Sequence, residues 1–194
     1  AIGEVLWTRA RGATMLAVGP SSVVDALATA MPSSGRAPGR QPKLAPARGP
    51  VLVLAGSLSP VTASQVAAAK SFDVVWLDAQ QMARRNAGTL EDQADVIARG
   101  LAQRRNVLAC TRAPHSNGAS GMPAGADLDA QALARAGGDL LAAVRAKQPL
   151  GRIGVAGGDT SSHGIQALDV WGLSYAADMG AGASLCRVHS DDAS

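Results

Sequence analysis

The chain has 194 residues, close to the size of one domain, and 47% of them are hydrophobic, enough for a packed core. Three Trp, one Tyr and one Phe leave aliphatic side chains and alanine to build that core, and supply too few stacking platforms for a single-strand nucleic-acid reader. The net charge of +3 is concentrated in residues 33–49, where Arg36, Arg40, Lys43 and Arg48 stand without an acid in a proline- and glycine-rich stretch; this reads as a solvated connector, and no nucleic-acid partner is expected.

In chain order, residues 14–18 (TMLAV) predict a short buried strand. Gly19 and Pro20 then turn into a helix over 21–30, whose Val23, Val24 and Leu27 share a face. Residues 1–32 therefore read as one βα unit, the remnant of a preceding domain. The proline- and glycine-rich residues 33–49 lack large apolar groups that could offset the entropy of ordering, and they hold the domain boundary.

From residue 50 the pattern is regular. Strands are expected at 51–55, 74–77, 107–110, 153–156 and 185–188, and helices at 60–70, 90–103, 128–147 and from about 162 to 171. Ala94, Ile97, Ala98 and Leu101 follow the spacing of one buried helical face, as do Leu133, Leu140, Leu141 and Val144. Runs such as VLVLA and VVWL suit strands covered on both sides, and βα alternation implies right-handed parallel crossovers. The fold class is α/β, a doubly wound, mostly parallel Rossmann-like sheet with helices on both faces. The stretch 111–127 is long for a βα connection and reads as a lid or an insertion, with His115 a solvated loop histidine.

Cys110 and Cys186 form no CxxC or Cys/His pattern, so neither a disulfide framework nor a zinc site is suggested. No run of 18 apolar residues occurs, and the N-terminus lacks the order of a signal peptide. A cytoplasmic protein with no membrane partner is expected.

Two loops can carry chemistry. Residues 56–60 (GSLSP) run from a strand into a helix, with Ser59 and Pro60 as N-cap and first-turn residues. The helix start suits an anion, and Ser57, Ser59 and Thr62 can add hydroxyls; ordinary capping is the competing reading. Residues 157–164 (GGDTSSHG) also join a strand to a helix. Gly157 and Gly158 admit a close ligand, while Asp159, Thr160 and Ser161 offer caps and donors. Asp159 serves either metal or base chemistry beside phosphates, or simply an N-cap. Neither the Walker A pattern nor GxGxxG is present, no acidic residue closes a strand at the distance a nicotinamide-dinucleotide site needs, GSLSP is not GxSxG, and His115, His163 and His189 lie in no metal-ligand spacing. In a parallel sheet both loops leave the carboxyl ends of their strands and can line one crevice.

Residues 51–65 (VLVLAGSLSPVTASQ), 155–173 (VAGGDTSSHGIQALDVWGL) and 180–188 (GAGASLCRV) resemble, in order and spacing, the nucleotide-binding C-terminal domain of the four-carbon acid sugar kinases. The resemblance implies ATP-dependent phosphorylation of a threonate- or erythronate-like acid at its terminal hydroxyl, with Mg2+. It sets Ser57 and Ser59 against ATP, and Gly157, Gly158, Asp159 and Thr160 around its phosphates. The family also has an opening Asp-Asp-Phe-Thr-Gly type motif and a closing Lys-Ser-Gly-x-Phe-Gly type loop. Both contain Phe, and Phe72, within SFDVV, belongs to neither. The expectation is a fragment that binds nucleotide and turns over poorly, its sugar-acid groups lying elsewhere. A non-catalytic nucleotide- or anion-binding assembly module is the alternative, and a homodimer is expected.

Overall fold

The computed structural model describes residues 2–19, 21–32, 44–56, 59–112, 129–180 and 183–191. The chain divides into two compact units, residues 1–42 and 43–194.

The first unit is a pair of helices, α1 (Ile2–Gly12) and α2 (Ser21–Ala30). Glu4 in the first turn of α1 and Arg9 and Arg11 in the last complement the helix dipole. At Gly3 the helices approach so closely that a Cβ would overlap the Ala26 carbonyl. The strand expected at 14–18 is absent: residues 14–19 are irregular, and Leu16 and Val18 are 89% and 91% exposed. A lone apolar stretch has no backbone partner to make it a strand, and the other described elements of this unit are helices. The unit is therefore αα rather than βα. Most of the connector, residues 33–43, lies outside the described residues, and residues 44–47 are irregular.

In the second unit, β1 (Val51–Ala55), β2 (Asp73–Asp78), β3 (Val107–Arg112) and β4 (Arg152–Ala156) form one parallel sheet in the order β2-β3-β1-β4. Alternation along the strands separates two apolar layers. Leu52, Leu54, Leu77, Val107 and Ala109 face α4 (Ala79–Ala83), α5 (Ala87–Ala102) and α6 (Ala130–Lys147), meeting Met82, Ile97, Leu101, Leu140, Leu141 and Val144. Ala55, Leu108 and Cys110 face the other way, towards Val66 of α3 (Pro60–Ala68), with Phe72 beside them. The α/β, doubly wound architecture read from the sequence is present.

α4 was not foreseen; Asp78 starts it by accepting the Gln81 N–H at 2.9 Å. Asn86 caps α5, which begins three residues ahead of the expected helix. α7 (Gly158–Ala167) begins and ends about four residues before the expected bounds. The chain then forms a separate antiparallel hairpin of β5 (Gly172–Gly180) and β6 (Ala183–His189), of which only the second strand was expected.

α7 packs on α6 through glycines. A Cβ on Gly138 would lie 2.7 Å from the His163 carbonyl oxygen, and one on Gly164 3.0 Å from Leu141. β1 thus leads into a helix on one face of the sheet, while its neighbours β3 and β4 lead into helices on the other. That reversal opens a crevice at the carboxyl end of β1, the place where ligands bind in such sheets.

Candidate functional site

Gly56 and Gly157 follow directly from β1 and β4, paired in register through Ala55 and Ala156. The Gly56 N–H donates to the Ala156 carbonyl at 3.0 Å. A Cβ at Gly56 would overlap the Thr160 hydroxyl, so glycine is what lets the first loop close on the start of α7. Thr160 is buried there, its methyl also against Gly137 of α6. On the other side of β1, the Thr111 hydroxyl donates to the Ala55 carbonyl at 3.2 Å. The two loops thus meet, and with Ala130, Leu133 and Ala134 of α6 they line a cavity of about 300 Å³ containing Gly56, Gly157, Gly158, Asp159 and Thr160. That is the lower end of the range for small-molecule pockets.

The start of α7 differs from the other described helix starts of this unit. Ser59, Asp78, Asn86 and Asp129 each accept a backbone N–H of the helix that follows. Gly157, at φ +122°, precedes α7 with no side-chain cap. The hydroxyls of Ser161 and Ser162 turn back to the Gly157 and Gly158 carbonyls at 2.7 and 3.1 Å. The first-turn N–H groups of Gly158, Asp159 and Thr160 therefore keep their hydrogen-bonding capacity at the positive end of the helix dipole. A Cβ on Gly158 would meet nothing within 4 Å, so bare backbone fronts the cavity.

Asp159 is exposed on the cavity wall and makes no hydrogen bond or ion pair among the described residues. It is not the N-cap that its residue type suggested; the positive φ of Gly157 starts the helix before Asp159 can occupy the capping position. Ser57 lies outside the described residues. Ser59 is the cap of α3, its Oγ accepting the Thr62 N–H at 3.2 Å and lying 3.0 Å from the Thr62 hydroxyl. Thr62 is buried and turned to the α3 side of the sheet, not to the crevice. His163 is half-buried within α7, His189 pairs with Ser174 in the hairpin, and His115 lies outside the described residues.

Neither cysteine is paired; burial pushes the Cys110 thiol above its ordinary pKa, which makes it a poor nucleophile. Among the described residues no group of three or more His, Cys, Asp or Glu could hold a metal, and no helix is long and apolar enough to cross a membrane. The contribution of α6 to the cavity was missed in the sequence. The available signal was Gly137–Gly138 inside a helix, where a pair of glycines marks close approach.

The crevice, with an uncapped helix start on its wall, belongs to an α/β domain with a four-stranded parallel sheet. Residues 52–194 match the family model of the nucleotide-binding C-terminal domain. The chain belongs to this family, the nucleotide-binding domain of the four-carbon acid sugar kinases. Among solved structures it resembles a domain of unknown function (DUF1537) from Bordetella bronchiseptica, a domain-swapped dimer with bound citrate, at TM-score 0.58 and 20% identity over 74% of this chain. A DUF1537 protein from Haemophilus influenzae is similar at TM-score 0.64 and 24% identity over 96%. The chain spans 34% and 44% of the lengths of those two. No curated protein matches the sequence.

Proposed function

We propose that this chain is the ATP-binding part of a cytoplasmic kinase that phosphorylates a four-carbon sugar acid, of the threonate or erythronate kind, on its terminal hydroxyl. One observation carries the nucleotide part: the uncapped start of α7 presents three backbone N–H groups to a cavity beside Gly56. Such a helix start suits phosphate oxygens. Gly157, Gly158 and Thr160 would cradle them, aided by the hydroxyls of Ser57 and Ser59. A carboxylate beside phosphates is repelled unless a cation lies between, so the position of Asp159 favours the Mg2+ complex of ATP and a metal-facing role for Asp159. Phosphoryl transfer depends mainly on positioning and electrostatics, which backbone donors held by a rigid sheet supply.

Family membership is what supports the sugar acid and its phosphorylation in this reading. The Bordetella relative with bound citrate and a domain-swapped dimer supports a small carboxylate-bearing substrate and a homodimer. This chain spans less than half of those relatives, and this reading assigns none of its residues to the choice of acid. The chain alone is expected to bind nucleotide with little turnover; a full rate on D- or L-threonate from this chain would contradict that. The second reading is a non-catalytic nucleotide- or anion-binding or assembly module. The capping role of Ser59 favours it for the first loop. Titration with ATP tests the nucleotide part: saturable, Mg2+-dependent binding is expected, and its absence leaves an anion-binding or assembly module.

A further inference from the structure

Strand register places Trp76 of β2, Cys110 of β3, Ala55 of β1 and Ala156 of β4 in one row across the sheet. Ala55 and Ala156 immediately precede the two site glycines, so this row marks the level at which the cavity begins. Trp76 stands at its far end, two strand spacings from β1, or roughly 10 Å. The four side chains share the face that carries α3. Cys110 is buried there, yet Trp76 is 46% exposed. Arg112, the last residue of β3, holds its guanidinium 5.4 Å from the centre of the indole. Asp78, opposite Arg112 in register, is engaged in capping α4, and Arg112 has no ion pair among the described residues.

We propose that Trp76 and Arg112 form the base subsite, a planar shelf on which the purine of the bound nucleotide stacks. This rests on the reading that its phosphates lie at the start of α7. The crevice between β1 and β3 separates a strand followed by a helix on one face from a strand followed by a helix on the other. A nucleotide that crosses this crevice passes from the α7 side of the sheet to the Trp76 side, a gap that ribose and phosphates bridge. Indole stacks on any base, and guanidinium is the cation that layers best on aromatic planes. The shelf supplies stacking without a hydrogen-bond code, so it favours purines over pyrimidines and does not tell adenine from guanine.

The test is calorimetric titration of the full chain with ATP, UTP and inorganic tripolyphosphate, for wild type, Trp76→Leu and Arg112→Gln, with melting temperatures alongside. ATP is expected to bind more tightly than UTP. Trp76→Leu is expected to weaken ATP by ~10-fold or more while leaving tripolyphosphate and the melting temperature unchanged. Arg112→Gln shifts ATP in the same direction. Unchanged ATP affinity in Trp76→Leu would overturn the base subsite and leave the phosphate site standing, and equal losses for ATP and tripolyphosphate would also overturn it. If wild type binds none of the three, the nucleotide reading and the subsite fail together.

Discussion

A Cβ at Gly158 would meet no atom within 4 Å, whereas one at Gly56 would strike the Thr160 hydroxyl, so the two glycines of the site fail in different ways. Gly158→Leu has open space for its Cβ and adds bulk to the cavity lining. It should cost nucleotide affinity roughly tenfold or more, the scale of a lost charge-assisted hydrogen bond, with no loss of melting temperature. Gly56→Val forces Thr160 and α7 away from β1, and should destabilise by about 1–3 kcal/mol, the usual cost of overpacking, read from urea midpoints. The strand–glycine–helix succession of this loop was legible in the sequence because its signals stand side by side. The role of Asp159 was not. Its composition is that of a cap, and the positive φ of Gly157, which moves the helix start upstream, is a backbone property that residue types do not reveal.

At the scale of elements, helices and parallel strands with strong apolar periodicity were legible to within a few residues. β5 was missed because its sequence, GLSYAADMG, lacks regular alternation, and its pairing with β6 is broken by register shifts. The packing of α6 on α7 was missed because it depends on absent side chains, the Gly137–Gly138 pair being its trace in the sequence. Gly138→Ala sets a methyl group 2.7 Å from the His163 carbonyl, so it should lower the melting temperature and shift the start of α7, weakening nucleotide binding as well. The reverse pattern, loss of binding with stability intact, belongs to Gly158.

α5 and α6 are further joined by Lys147, which meets Glu91 at 2.5 Å and Asp95 at 2.8 Å. Lys147 lowers the pKa of Asp95, and the two carboxylates raise that of Lys147. The depressed carboxylate contributes stability above its unfolded value, about 4, and loses it as pH falls through the lower folded value. The raised ammonium contributes below about 10.4 and loses its contribution as pH rises through the higher folded value. The melting-temperature difference between wild type and Lys147→Met should therefore be flat from about pH 5 to 9, shrink in acid, and fall with added salt because the groups are exposed.

For the whole molecule, both apolar clusters lie within the second unit. We propose that residues from 43 onward fold on their own. Deleting residues 1–42 should leave the melting temperature and nucleotide affinity of the remainder unchanged, and a marked loss of either would assign the helical pair a supporting role. The change of composition at residues 33–49 was legible, whereas the pairing of α1 with α2 was not. The apolar run at 14–18 has the composition of a strand, and only the absence of a neighbouring described strand in that unit decides against it. At this scale the homodimer proposal predicts a mass of about twice 19.5 kDa by light scattering. A monomer at high concentration would end it.

We propose that the uncapped start of α7, set against Gly56, holds the phosphates of a nucleotide. It is tested most directly by calorimetric titration of the chain with ATP and ADP, with and without Mg2+, beside Gly158→Leu. Saturable binding by wild type, strengthened by Mg2+ and lost in a variant that melts at the wild-type temperature, is the predicted result. Absence of binding by wild type, or equal binding by wild type and Gly158→Leu, would contradict it.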